Sequence, residues 1–311
     1  MENPNTGLAL AELSAQKILE IFADISNTGT PIIIPIAFPN AGKSLFLSSL
    51  LYSGSKFGAQ SGFLLSTLAF GHYKNGSGTA QHMINAFVAK KAYRRNVVGT
   101  LDIIGTKLEP HSANRNSQEF ALVDLSGEDI KRLITDEEDR TGVAEFTDPK
   151  IKAILNGCAG GNTIFCLITP FMPWIGDAKE DELHGRFLTY IESEYPGLFQ
   201  NSKFIVVVAQ WDKVPANMKI TPIEYIQNNR RILYNKLVAR NTNVVYTEYS
   251  VGTVVNTEDE NKAEVTVITK INTAYPRKLW NHFYKQITGN DIISISWWDK
   301  ILIFLGFKDS Q

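Results

Sequence analysis

The chain has 311 residues, of which 44% are hydrophobic and 20% are charged, and its formal net charge is -1. This composition is typical of a globular protein with enough apolar residues for a sizeable core. Because the net charge is close to zero, the composition excludes a protein whose overall field attracts nucleic acid, and we expect no nucleic-acid partner.

The sequence lacks the usual signals for secretion or membrane insertion. The N-terminal residues do not show the charged, apolar and small-residue sections of a signal peptide. No apolar run reaches the roughly 20 residues that span a bilayer. We therefore expect a cytoplasmic protein. Cys158 and Cys166 have no further Cys or His at metal-ligand spacing, so we expect two small buried hydrophobic side chains rather than a disulfide.

Predicted strands and helices alternate along the chain. In the first part of the chain, the apolar patterns and turn residues predict a helix over 9–23, a strand over 32–36, a helix over 43–51, a loop over 52–77, a helix over 80–94, and strands over 97–106 and 120–125. A short helix follows, with Asp148 as N-cap, Pro149 in its first turn and Gly157 at its end. The remaining predictions are a strand over 163–169, a helix over 180–195, a strand over 204–209, a helix from the Thr221-Pro222 capping box to about 240, a strand over 244–250, a β-hairpin formed by 251–255 and 263–271, and a final helix over 275–287.

This alternation predicts an α/β fold with a mostly parallel central sheet and helices on both faces. We expect a lead-in helix within 1–29, one domain over 30–290 with a β-hairpin insertion near 251–271, and an apolar C-terminal docking segment over 291–311.

The stretch from Ala37 to Ser44, AFPNAGKS, matches the pattern of a phosphate-binding loop: Ala or Gly, four residues, then Gly-Lys-Ser. A predicted strand before it and a predicted helix after it provide the context that this loop requires. Lys43 offers an ammonium group to phosphate oxygens, and Ser44 offers a hydroxyl to Mg²⁺. The residues whose backbone N–H groups we expect around the phosphates are Asn40, Ala41, Gly42, Lys43, Ser44 and Leu45.

Two further expectations concern the same stretch. We expect Lys43 to be an exposed loop residue whose replacement leaves the fold intact. Pro35 removes a ladder hydrogen bond from the strand, so we expect that strand to be irregular at its end.

The stretch FALVDLSGEDI, residues 120–130, predicts a second part of the same site. Its apolar strand ends in Asp124, whose carboxylate can hold the shell of a Mg²⁺ ion, and Gly127 can present its backbone N–H to a γ-phosphate. Glu128 follows Gly127 directly. Thr79 is a candidate switch threonine, with a helix N-cap as its alternative role, and Thr100 is the other candidate.

The stretch KFIVVVAQWDKV, residues 203–214, predicts the base specificity. Asp212 follows a buried strand and can accept hydrogen bonds from N1–H and the 2-amino group of guanine. Adenine offers no such pair, so this contact can discriminate by roughly 1–3 kcal/mol. Gln210 can lay its stem over the base. After the next strand, Ser250 and Val251, followed by Gly252, can bring their backbone to the guanine O6.

The order of these motifs resembles the TRAFAC class of GTPases. FPNAGKS is similar to the phosphate loop of the Era and Obg relatives, and DLSGE, AQWD and SVG are similar to motifs of bacterial GTPases linked to conflict and defence operons, including the double-GTPase group. The resemblance covers 32 to about 252. It implies a Ras-like P-loop fold that holds GTP or GDP with Mg²⁺ at the carboxyl ends of the strands.

The resemblance also implies a role for individual residues. It assigns Lys43 and Ser44 to phosphate and Mg²⁺, Asp124 and Gly127 to the γ-phosphate response, and Asp212 to guanine. The sequence departs from the pattern of the class at three places. Ala37 replaces a glycine, Glu128 replaces a glutamine, and Ala209-Gln210 replaces Asn/Thr-Lys, so that residue 209 cannot tie the base loops together through its side chain.

The sequence thus predicts a GTP-hydrolysing molecular switch, with Lys43, Glu128 and Thr79 as the catalytic candidates and Ser44 and Asp124 as the metal ligands. One alternative is a GTP-binding scaffold subunit with little or no hydrolysis. Another is an ATP-using P-loop enzyme, which Asp212 disfavours. The C-terminal segment is mostly apolar from Ile292 to Phe307, so we expect it to pack on the core, a protein partner or a second copy. Membrane association is favoured less.

Overall fold

The computed structural model describes residues 14–39, 41–56, 62–68, 75–91, 101–134, 144–172, 178–240, 244–258 and 264–293. Within these ranges the chain forms an α/β structure. Its strands are β1 (Ile32–Ala37), β2 (Phe63–Leu68), β3 (Leu101–Pro110), β4 (Gln118–Leu125), β5 (Thr163–Pro170), β6 (Lys203–Ala209), β7 (Val244–Glu248), β8 (Gly252–Glu258) and β9 (Glu264–Ile271). Its helices are α1 (Ala15–Asn27), α2 (Lys43–Lys56), α3 (Asn75–Val88), α4 (Gly127–Leu133), α5 (Ala144–Cys158), α6 (Ala178–Glu194), α7 (Pro196–Asn201), α8 (Pro222–Asn229), α9 (Arg231–Ala239) and α10 (Ala274–Thr288).

The described strands form one mostly parallel sheet and one hairpin. The order in the sheet is β2-β3-β4-β1-β5-β6-β7. Strands β4, β1, β5, β6 and β7 run parallel, whereas β3 is antiparallel to both of its neighbours. Strands β8 and β9 pair antiparallel outside this sheet, as the sequence predicts. The α/β prediction with a mostly parallel sheet is confirmed.

The core lies on both faces of the sheet because successive strand residues point to opposite sides. In β1, Ile32, Ile34 and Ile36 belong to the cluster that packs against α1, α5, α6 and α9. Ile33 and Ala37 belong to the cluster that packs against α2, α3 and α10. An element buried on both sides needs a continuous apolar run, which is what the sequence of β1 shows.

The two cysteines lie in different core clusters. Cys158 packs on one face of the sheet and Cys166 on the other, and both are free thiols. Burial raises the pKa of each thiol above its ordinary range. The prediction of two small buried hydrophobic side chains is therefore confirmed.

The structure corrects the prediction of a loop over 52–77, because strand β2 lies inside that range. Strand β2 pairs with β3 in the register Phe63↔Pro110, and β3 continues beyond the predicted end at Thr106. A short edge strand in a Gly- and Ser-rich stretch has a weak apolar pattern, so its pairing depends on the longer partner.

Two helices also differ from their predictions. Helix α5 begins at Ala144, so Pro149 lies inside the helix rather than in its first turn. The helix predicted from the capping box to about 240 is divided into α8 and α9 at Arg230, whose φ and ψ are -133° and 57°. The Arg230 guanidinium is directed inward, where Nε donates to Thr169 Oγ1 at 2.8 Å. The capping box itself, with Thr221 and Glu224, is confirmed.

Other predicted elements are present with shifted ends. Helix α3 begins at Asn75 instead of residue 80, and α1 ends at Asn27 instead of residue 23. Strand β1 keeps its register with β5 through Pro35 to Ala37, whereas its pairing with β4 covers Ile32 and Ile33. Its last residues thus pair on one side, as expected of a strand that contains proline.

The predicted apolar segment beyond Ile293 lies outside the described residues. Among the helices that the structure describes, none combines the length and the apolar character that crossing a bilayer demands.

Candidate functional site

The residues singled out in the sequence gather along the carboxyl edge of the parallel strands. The phosphate-binding stretch follows β1, Asp124 lies near the end of β4, Asp212 follows β6 and Ser250 follows β7. In an open α/β sheet this edge is where ligands bind, because the loops and the helix N-termini meet there. Asn40 and Thr100 lie outside the described residues.

The phosphate-binding stretch makes a tight turn into α2. Ala41 N–H donates to Phe38 O at 3.1 Å, and Phe46 N–H donates to Gly42 O at 2.9 Å. Gly42 has φ +82°, and a Cβ added there would meet nothing within 4 Å. The requirement for glycine at residue 42 therefore comes from its left-handed backbone and not from crowding.

Lys43 and Asp124 form an ion pair at the edge of the sheet. Lys43 Nζ donates to Asp124 Oδ1, and the two side chains are 8% and 3% exposed. The expectation of an exposed Lys43 is wrong, because α2 begins at this residue and turns its side chain into the sheet. Two opposite charges that lie together in the interior compensate each other, whereas either one alone would be costly.

Two oxygen-bearing side chains that the sequence assigns to Mg²⁺ lie at this edge of the sheet. Ser44 is half-buried in the first turn of α2, and Asp124 is buried near the end of β4. Within the described ranges no group of three or more His, Cys, Asp or Glu side chains could hold a metal ion. Mg²⁺ commonly takes one or two protein oxygens and completes its shell with water and substrate phosphate, so a small ligand set suits it.

Gly127 lies against the backbone of the phosphate-binding stretch. A Cβ added at residue 127 would come within 2.5 Å of Ala37 O and 3.3 Å of Pro39 N. The close approach places the first turn of α4 beside the phosphate-binding stretch. Glu128 follows in that turn and is half-buried.

Thr79 contacts a carboxylate that the sequence analysis did not single out. It lies within α3, so the alternative interpretation as a helix N-cap is wrong. Thr79 Oγ1 donates to Asp102 Oδ2, and Asp102 pairs directly with Asp124 across β3 and β4. Directly opposed residues of antiparallel strands point to the same face, so the two buried carboxylates are neighbours. A carboxylate within the apolar run of a strand was the available signal for Asp102.

The loops after β6 and β7 are joined by side-chain and backbone hydrogen bonds. Ser250 Oγ donates to Asp212 Oδ1 at 2.5 Å and accepts from Gly252 N–H at 3.0 Å. Ala209 has no side-chain group that could join these loops, and Ser250 joins them instead. Gly252 requires a glycine on two grounds: its φ is +112°, and a Cβ would collide with Lys270 O.

The other residues predicted to bind the nucleotide lie along the same edge. Gln210 adopts a left-handed backbone, with φ +58°, and its Oε1 accepts from Lys213 Nζ at 2.5 Å. Leu45 is half-buried in the first turn of α2. Val251 is half-buried, and its carbonyl accepts from Asn272 N–H at 3.1 Å.

Comparison with known proteins adds no family to this description. No protein-family model matches the chain, and a search of curated proteins finds no match to it.

Proposed function

We propose that the chain is a Mg²⁺-dependent GTP-binding protein of Ras-like P-loop architecture that hydrolyses GTP and acts as a molecular switch. The observation that carries the proposal is the buried pair of Lys43 and Asp124, residues 81 positions apart in the chain. The pair unites a phosphate-loop lysine and a strand-end carboxylate beside Gly127. The antiparallel pairing of β3 with β4 on one side of β1, and the parallel strands on the other, support the Ras-like assignment.

The charges of Lys43 and Asp124, which pair with each other here, also suit the opposite charges of a phosphate group and Mg²⁺. In a nucleotide complex Lys43 would hold the phosphate oxygens, and Asp124 and Ser44 would hold Mg²⁺. Mg²⁺ supplies positive charge where the phosphate oxygens carry negative charge. Both buried side chains keep an opposite charge beside them throughout, which avoids the cost of an isolated buried ion.

Base selection belongs to the joined loops. Ser250 donates to Oδ1 of Asp212, and because each carboxylate oxygen can accept more than one hydrogen bond, both oxygens can still accept from N1–H and the 2-amino group of guanine. Asp212 is exposed at the edge of the sheet, where a base can reach it. The Gln210 stem lies in the same turn and can cover one face of the base.

A competition titration tests this proposal. A fluorescent GDP analogue is bound to the purified chain with Mg²⁺ and displaced by GTP or by ATP. We expect GTP to displace it about five- to 150-fold more effectively, since a bidentate base contact contributes roughly 1–3 kcal/mol. Equal displacement by ATP would contradict the guanine assignment, and an absence of binding would contradict the phosphate-loop assignment.

A second candidate, a GTP-binding scaffold with little hydrolysis, is favoured by Glu128. Its carboxylate lies in the first turn of α4, next to the residue assigned to the γ-phosphate. There it can orient water or repel the phosphate. Phosphate release in a single turnover separates the two functions, with Glu128→Gln as the comparison. The resemblance of the motifs supports a place in a bacterial conflict or defence system, or in another protein assembly, with a partner bound through the C-terminal segment.

A further inference from the structure

We propose that Tyr249 is a positioning residue that holds the guanine-binding loops in a fixed relation to the helix that follows the phosphate loop. This proposal rests on the proposed function. It deepens that function by naming the residue on which recognition of the guanine 2-amino group depends.

The backbone of Tyr249 joins the two base loops. The residue directly follows β7, and its N–H donates to Val208 O in β6 at 2.8 Å. Its carbonyl accepts from Trp211 N–H at 3.0 Å. Trp211 precedes Asp212, so the turn that carries the base-binding carboxylate is bound to the backbone of Tyr249.

The side chain of Tyr249 extends to α2, on the phosphate side of the site. Its hydroxyl lies 2.5 Å from Ser49 Oγ, and its ring centroid is 4.5 Å from that of Phe46. Both hydroxyls also reach one backbone oxygen of α2: Ser49 Oγ lies 2.9 Å and the Tyr249 hydroxyl 3.4 Å from Phe46 O. The two hydroxyls and this carbonyl thus form one hydrogen-bonded cluster, in which either hydroxyl can donate to the other. Burial raises the pKa of Tyr249 far above its ordinary value, so the hydroxyl keeps its proton.

A continuous chain of contacts thus runs from α2 to Asp212. Both Tyr249 and Ser49 are 1% exposed, so water does not compete for their hydrogen bond. The next residue, Ser250, donates to Asp212. Recognition needs the carboxylate and the phosphate loop to meet one nucleotide together, and binding groups generally have to be held to within about 0.5 Å for this. The Tyr249 hydroxyl supplies the contact that fixes this spacing.

The test compares Tyr249→Phe with the wild-type chain in the binding of GTP and inosine triphosphate, which lacks the 2-amino group. We expect wild type to prefer GTP. We expect Tyr249→Phe to lower that preference by about two- to tenfold, the range that corresponds to one net hydrogen bond. Tyr246→Phe is the matched control, because this half-buried tyrosine lies in β7, three residues before Tyr249, and packs against Tyr234 instead of α2.

A second variant separates positioning from general stability. Ser49→Ala removes the hydroxyl that pairs with Tyr249, so we expect it to lower the preference for GTP as Tyr249→Phe does, and the double variant to lower it by less than the sum of the two. A melting temperature that falls in Tyr249→Phe while the preference for GTP stays at the wild-type value would overturn the proposal.

Amide hydrogen exchange of the nucleotide-free chain gives a readout that does not depend on the proposed function. We expect Tyr249→Phe, but not Tyr246→Phe, to speed exchange at Trp211 and Gly252. If wild type binds no GTP, the proposed function fails, and the exchange data alone decide whether Tyr249 links the loops to α2. Unchanged exchange at both amides would overturn the link.

Discussion

Replacing Lys43 with methionine should destabilise the folded chain even though the residue belongs to a ligand-binding loop. The side chains of Lys43 and Asp124 are 8% and 3% exposed, so the variant leaves a carboxylate in the interior without its counter-charge. Breaking a buried pair in this way costs about 3–5 kcal/mol. Natural proteins are commonly stable by only about 5–15 kcal/mol, so the loss is large. Methionine retains the apolar stem and limits the effect to the charge.

Urea denaturation, followed by circular dichroism, measures this loss as a lower midpoint at an unchanged slope. Lys107→Met is the matched control, because Lys107 pairs with Glu109 on the surface, where the two side chains are 33% and 41% exposed. Exposed pairs contribute about 0–1 kcal/mol. Adding Asp124→Asn to Lys43→Met should recover much of the loss, since it removes the stranded charge. A Lys43→Met midpoint equal to that of the Lys107→Met control would refute this reasoning.

Three further predictions follow from the same contacts. Gly127→Ala should lower stability by about 1–3 kcal/mol and weaken nucleotide binding, because its Cβ would come within 2.5 Å of the backbone oxygen of Ala37; urea denaturation and nucleotide titration should show no such losses for Gly197→Ala, which has open space. Asp212→Asn should shift nucleotide preference from guanine towards xanthine, measured by competition, and an unchanged preference would contradict the assigned contact. Burial lowers the pKa of His184 from 6.5 to about 4. As the pH drops from 6.5 to 4, the imidazole is therefore protonated in the unfolded chain before it is protonated in the folded chain, and the free energy of unfolding should fall by about 3 kcal/mol. Denaturation at pH 7 and pH 4.5 should show a smaller fall in His184→Gln.

The sequence alone was enough to predict those structural features that depend on residues close together in the chain. The capping box of Thr221 and Glu224 starts α8 as predicted, since both of its hydrogen bonds join residues three apart. The apolar run before the phosphate-binding stretch predicts β1, because a strand buried on both faces needs such a run. Gly42 adopts the left-handed backbone that only glycine takes up readily. These features could be predicted from the residues alone.

Only the tertiary structure decided which distant residues meet. The burial of Lys43 depends on Asp124, the bond of Thr79 depends on Asp102, and the join of the base loops depends on Ser250. Strand β2 was missed because its short edge segment gains its hydrogen bonds from β3. Apolar periodicity records which side of an element is buried, but it carries no information on the partner across the sheet. These contacts exist because the parallel strands bring their carboxyl ends, and antiparallel β3 its amino end, to one edge of the sheet, where side chains far apart in the chain can form ion pairs and hydrogen bonds.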